Sequence, residues 1–226
     1  MMGKEIKGII FDLDGTLIHS VIDFTSMKKR MIGILETKGV PEGLLTPLQT
    51  TVVILATSEE ILRENKLPVQ EWERIMGSIE EIMNQGELEA IPKIQEIEGA
   101  ATTLEALRKA GYKLAILTRS HHAYAVEALK KIGAYDCFEI ILGRGETPRP
   151  KPHPEALHHA AMLLGFDLDE TIFVGDHHID AQCAKNAGSP FVGVRTGIKG
   201  DESWEDDEPE TLLDSVTDLP RYLEEL

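Results

Sequence analysis

From Ile97 onward the chain alternates two kinds of segment with a regularity that leaves few folds open. Short apolar runs, Lys113–Thr118, Phe138–Leu142, Thr171–Gly175 and Phe191–Val194, read as strands buried on both faces. Stretches with helical spacing separate them: Ala100–Ala110, His122–Ile132, Pro154–Leu164 and Ile179–Ala187, each followed by a glycine suited to a left-handed helix end. Strands that alternate with helices must run parallel, because the crossover returns each strand to the same edge. The class expected is therefore α/β, a doubly wound parallel sheet.

One further strand-type run opens the chain, Ile6–Phe11, and it runs straight into Asp12-Leu13-Asp14-Gly15-Thr16-Leu17. In a doubly wound sheet ligands bind outside the carboxyl ends of the strands, so the run delivers two carboxylates to that edge. Two acids this close favour a divalent cation or an unequal split of protons. Read alone, Asp-Gly after a strand is equally a hairpin turn.

Between the first strand and Ile97 the grammar is helical. Thr25–Lys38, Leu48–Asn65 and Val69–Gln85 carry apolar residues at helical spacing, the last with Trp72, Ile75, Met76, Ile79, Ile82 and Met83. The β-branched run Thr50–Ile54 is taken into the second of these. Residues 19–92 are expected to form a helical insertion, and residues 1–18 and 93–226 the α/β core. The acidic stretch Gly200–Glu210 around Trp204 reads as a solvated loop, and Leu212–Leu226 as a short strand or turn and a helix.

Composition narrows the partners. The formal net charge is −16, which disfavours a nucleic-acid-binding face and repels anionic substrates at long range. A phosphate site in this chain must supply its own positive potential from a lysine, a metal ion or helix-start amides. No apolar run is long enough for a membrane span, and the opening residues lead into a strand, so a cytoplasmic location is expected. Cys137 and Cys183, far apart and outside any C-x-x-C, read as buried free thiols.

Asp12-Leu13-Asp14-Gly15-Thr16-Leu17 resembles the first motif of the haloacid dehalogenase-like hydrolases, most of which are phosphatases with an aspartate nucleophile. Three later stretches fit the same family in order. Thr118, at a strand end where a helix cap would be the ordinary reading, resembles the phosphoryl-binding second motif. Arg119 follows it where many relatives carry Asn. Lys151, in Arg149-Pro150-Lys151-Pro152-His153-Pro154, resembles the lysine of the third motif, and Gly175-Asp176-His177-His178-Ile179-Asp180 the acidic fourth. Asp176 and Asp180 are expected one turn apart on a helix.

The resemblance implies Mg²⁺ held by Asp12, the Asp14 backbone carbonyl and Asp176 and oriented by Asp180, with Asp12 as nucleophile and Asp14 as acid and base. Thr118, Arg119 and Lys151 would bind phosphate. The insertion lies where the phosphoglycolate-phosphatase-like subgroup carries its helical cap, and its positive cluster Lys28, Lys29 and Arg30 is a candidate for meeting a substrate anion. The expected substrate is a small phosphorylated metabolite such as phosphoglycolate. Alternatives are a phosphomutase of the β-phosphoglucomutase type and, more remotely, a phospho-acceptor signalling or binding module. Seven histidines, His121, His122, His153, His158, His159, His177 and His178, fall near these loops and read as exposed helix-start residues, with a second, transition-metal site as the alternative.

Overall fold

The first strand, β1 (Gly8–Phe11), is the axis on which the sheet is assembled. The structure is a computed structural model that describes residues 5–19, 21–198, 200–204, 207 and 209–226. Two short strands, β2 (Ile18–His19) and β3 (Gln95–Glu96), form an antiparallel ladder of their own. Then come β4 (Lys113–Leu117), β5 (Ile140–Leu142), β6 (Thr171–Gly175), β7 (Phe191–Val194) and β8 (Leu212–Leu213). Six of them make one sheet in the order β5-β4-β1-β6-β7-β8, every pair parallel.

Among the described residues eight α-helices follow in chain order. They are α1 (Phe24–Thr37), α2 (Thr51–Glu64), α3 (Val69–Ala90), α4 (Ala100–Lys109), α5 (His122–Lys131), α6 (Glu155–Leu164), α7 (His178–Ala187) and α8 (Leu219–Glu224). On one face of the sheet Ile10, Ala115, Leu117 and Phe173 pack with Ala156, Leu157, Ala160 and Ala161 of α6 and with Cys183 and Ala184 of α7. The alternate residues Ile9, Phe11, Leu114, Ile116, Ile172 and Val174 point the other way and are equally buried, so the sheet is covered on both faces. Each large apolar side chain so buried contributes about 1.5–3 kcal/mol.

Register then sets the site. Phe11 pairs with Ile116 on one side and with Val174 on the other, which brings Asp12 level with the ends of β4 and β6. The Asp12 amide donates to the Val174 carbonyl at 2.9 Å, and the Thr118 amide to Leu142 at 2.9 Å. The chain winds outward from β1 through β4 to β5 and then crosses to β6, so the crevice of the sheet opens beside β1.

The chain divides into two compact units, residues 1–20 with 93–226 and residues 21–92. The second holds α1, α2 and α3, with Met27, Met31 and Leu35 of α1 and Ile75, Ile79, Ile82 and Met83 of α3 turned inward. Thr50 accepts from the Val53 amide and caps α2, which makes the β-branched run after it helical. The β2–β3 ladder, unseen in the sequence because each strand has two residues, belongs to the first unit and holds Ile18 beside Glu96.

Three expectations need correction. β5 begins at Ile140, because Tyr135–Cys137 forms a 3-10 turn and Phe138 ends it. The acidic stretch is not simply a solvated loop: Gly200–Ser203 is a 3-10 turn and Trp204 is 2% exposed, its ring edge-on to Phe191 at 6.2 Å. Glu205, Asp206 and Glu208 of that stretch lie outside the described residues, as does the opening Met1–Lys4. Finally, Asp176 precedes α7, so Asp176 and Asp180 do not share a helix.

Candidate active site

Asp12 leaves β1 on its final hydrogen bond and is 7% exposed. Lys151 Nζ donates to its Oδ1 at 2.5 Å and to Asp180 Oδ1 at 2.7 Å. Held in this way, the ammonium is 4% exposed and also stands over the Phe173 ring at 5.3 Å. The proline-rich segment that carries it is fastened from behind: Asn186 donates to the Pro152 carbonyl at 3.0 Å, and Cys183 Sγ to that of His153 at 3.3 Å. A flexible four-carbon stem is thereby fixed before any ligand arrives.

Asp180 sits in the first turn of α7, where its Oδ2 accepts from the His177 amide at 3.3 Å and completes a capping box. The same carboxylate therefore starts a helix and orients the lysine. It fits only because Gly175 has no side chain, since a Cβ there would lie 2.6 Å from the Cβ of Asp180. Asp176 comes from the end of β6 and takes one hydrogen bond, from Thr16 Oγ1 at 3.3 Å. Gly15, at φ 92°, and Gly197 press their bare Cα atoms against it, and a Cβ on either would collide with its carboxylate.

Carboxylate oxygens of Asp12, Asp176 and Asp180 lie within 4.8 Å of one another, the one such ligand group among the described residues. Three buried carboxylates share one ion-paired ammonium, so the carboxylates outnumber the cation paired with them. Burial pushes the Asp12 carboxyl up to about 7, with Lys151 opposing and Asp180 adding to the rise. Asp176 is raised as well, by burial first and then by Asp12 and Asp180. Lys151 goes the other way from what burial alone would do, because Asp12 and Asp180 hold its proton. An all-oxygen set with an under-bonded buried carboxylate suits a hard divalent cation.

Asp14 is not part of that cluster by its side chain. Its Oδ2 accepts from Ser120 Oγ and its Oδ1 from Tyr124 OH, each at 2.8 Å. Thr118 ends β4 nearly buried, and its Oγ1 accepts from the Ser120 amide at 3.0 Å. Arg119 is half-buried, and its guanidinium makes no hydrogen bond or ion pair among the described residues. Burial lowers it, while Asp180 and Asp12 attract its charge.

Sequence reading missed Ser120, Tyr124, Thr16 and Gly197. The only local signal was their place just beyond a strand end. The positive cluster in α1 is partly committed inside its own unit: Lys28 Nζ reaches the Pro47 carbonyl at 3.3 Å and Arg30 donates to Gln85 at 2.7 Å. His121 and His177 cap α5 and α7, and His122 meets Glu146 at 2.8 Å.

Comparison with known proteins follows the same lines. The model of the haloacid dehalogenase-like hydrolases matches residues 9–194. A phosphoglycolate phosphatase of Neisseria meningitidis is 31% identical over 86% of this chain and 82% of its own length. The pyrophosphatase PpaX of Bacillus velezensis is 28% identical over 97% of both. Among solved structures a hydrolase from Pseudomonas syringae superposes with a TM-score of 0.69 at 23% identity, covering 97% of this chain and 99% of that one, which bears on the fold.

The charge imbalance has a thermal signature. In metal-free buffer the folded protein keeps a proton on Asp12 that the unfolded chain releases near pH 3.8, so stability falls as pH rises from there toward about 7. With EDTA present, Tm should drop between about pH 5 and about pH 7.5, and a divalent cation at about a hundred times its Kd should restore about 2.7 kcal/mol at the upper pH. Scanning calorimetry in both buffers checks this, and a Tm indifferent to the cation would contradict it.

Proposed function

The chain belongs to the haloacid dehalogenase-like hydrolases, and from that membership we propose that it hydrolyses a small anionic phosphomonoester through an aspartyl-phosphate on Asp12. What carries the reading is the buried constellation of Asp12, Lys151, Asp176 and Asp180 at the carboxyl edge of β1 and β6.

An oxygen of Asp12 attacks phosphorus. The bond from phosphorus to the leaving oxygen breaks with its electron pair on that oxygen, which takes a proton from Asp14. A water oxygen then attacks the same phosphorus and passes its proton to Asp14, and the pair of the broken bond returns to Asp12. Only water is consumed, and splitting the displacement into two lowers each barrier.

Lys151 opposes the rise that burial imposes on Asp12 and faces the negative charge that the phosphoryl group brings. Thr118 offers a hydroxyl and neighbouring amides to the remaining oxygens. Mg²⁺, held by Asp12, the Asp14 carbonyl and Asp176 with Asp180 behind, would supply the positive charge that this acidic site lacks.

Arg119 supports an anionic substrate. A half-buried guanidinium without an ion pair suits a second negative group beside the phosphoryl site. The named relatives suggest phosphoglycolate first and pyrophosphate second as compounds to assay.

Three measurements bear on the reading. Turnover of p-nitrophenyl phosphate should vanish with EDTA and return with Mg²⁺; activity unaffected by chelation would remove the metal from the reaction. Asp12→Asn should lower kcat by about three orders of magnitude or more while Tm stays near or above that of the parent, since the substitution removes a buried charge. Across a panel of metabolite phosphates, Arg119→Ala should raise KM for phosphoglycolate by about tenfold and leave KM for neutral sugar phosphates nearly unchanged. An equal loss on both would take substrate reading away from Arg119.

A further inference from the structure

The two hydroxyls on Asp14 reach it from far along the chain, across 106 residues for Ser120 and 110 for Tyr124. Both come from one place. Ser120 lies between β4 and α5, its amide tied to Thr118 and its carbonyl taken by the Arg144 amide at 2.8 Å. Tyr124 is in the first turns of α5 and is fully buried. Each donates to a different oxygen of one carboxylate, so the plane of that carboxylate is fixed by two bonds of 2.8 Å.

We propose that Ser120 and Tyr124 are positioning residues that clamp the Asp14 carboxylate at the angle from which it serves both the leaving group and water. The proposal rests on the acid and base role given to Asp14 above. A carboxylate on a single tether rotates about its last bond and spends much of its time misdirected, whereas two tethers on separate oxygens leave one orientation. A carboxylate oxygen has two lone pairs, so a hydrogen bond accepted on one does not by itself bar proton transfer on the other.

The choice of hydroxyls matters as much as their number. A lysine or arginine in either place could only donate and would bind the ionised carboxylate far more tightly than the neutral acid. A hydroxyl can turn and accept when the carboxyl carries a proton. The clamp is therefore able to hold Asp14 through the whole cycle, and its two donors bring no charge to a site already dominated by Asp12, Lys151, Asp176 and Asp180. Within seven residues, Thr118 to Tyr124, this strand-to-helix turn would then serve phosphate through Thr118 and proton transfer through Ser120 and Tyr124.

The test uses the full chain with Mg²⁺, and p-nitrophenyl phosphate and phosphoglycolate as probes. Tyr124→Phe and Ser120→Ala should each lower kcat by about tenfold or more, with KM for phosphoglycolate moving by less than about threefold and KM for the nitrophenyl ester falling together with kcat, and Ser120→Thr, which keeps the hydroxyl, should recover most of the rate. Attack on the nitrophenyl ester needs little help from an acid because its leaving group is good, but discharge of the aspartyl-phosphate still needs Asp14 as base. Acid-quenched Tyr124→Phe should therefore carry more protein-bound phosphate with this probe than the parent does. A merely structural residue would lower turnover without that accumulation. Asp14→Asn separates the two levels of the argument: full turnover in that variant would overturn the role of Asp14 itself. If Asp14→Asn is crippled while a folded Tyr124→Phe, Ser120→Ala double variant turns over at the parental rate, the clamp is overturned. Should Tyr124→Phe fail to fold, Ser120→Ala against Ser120→Thr makes the same comparison.

Discussion

The ion pairs of Lys151 are the contact on which the rest of the site depends. A buried ammonium at 2.5 Å from Asp12 and 2.7 Å from Asp180 joins the end of β1, a proline-rich loop and the first turn of α7. Removing the ammonium costs about 3–5 kcal/mol, because two buried carboxylates are then left without compensation, whereas Lys151 without Asp12 still keeps Asp180. Around this lysine the carboxylates remain in excess. That excess sets the buried carboxylates against one another, a repulsion that a bound divalent cation would relieve. An overall charge of −16 raises the same demand at longer range.

Geometry at the strand ends comes from packing. Paired registers of Phe11 with Ile116 and Val174 set where β1, β4 and β6 stop, and the apolar residues between α6, α7 and the sheet hold that register. A slip by one residue would turn Ile10 and Phe173 away from the core they share, so the position of Asp12 is protected by burial several residues away. Glycine shapes the rest of the edge. Gly15, Gly175 and Gly197 leave room for carboxylates that a single methyl group at any of these positions would displace.

Much of this was legible in the chain. Glycine at a left-handed φ ends α6 at Gly165 (82°) and α7 at Gly188 (71°), and such ends can be read from sequence because few other residues adopt them. The parallel sheet followed from alternating strands and helices for an equally local reason. What escaped was non-local or masked by composition. The bonds of Ser120 and Tyr124 to Asp14 span more than a hundred residues, and no periodicity reports them. Trp204 was hidden in a run of acids, yet it is anchored against Phe191. Asp180 seemed in sequence to share a helix with Asp176, but the turn at His177 separates them and lets strand end and helix start converge instead.

The most direct measurement is a crystal structure with Mg²⁺ and beryllium fluoride, a stand-in for the phosphoryl group on a carboxylate. The account predicts beryllium bound to an Asp12 oxygen, the cation between Asp12 and Asp176, and fluorines facing Lys151 Nζ and Thr118. Beryllium fluoride on any other side chain, or a cation away from these carboxylates while turnover still requires Mg²⁺, would contradict it.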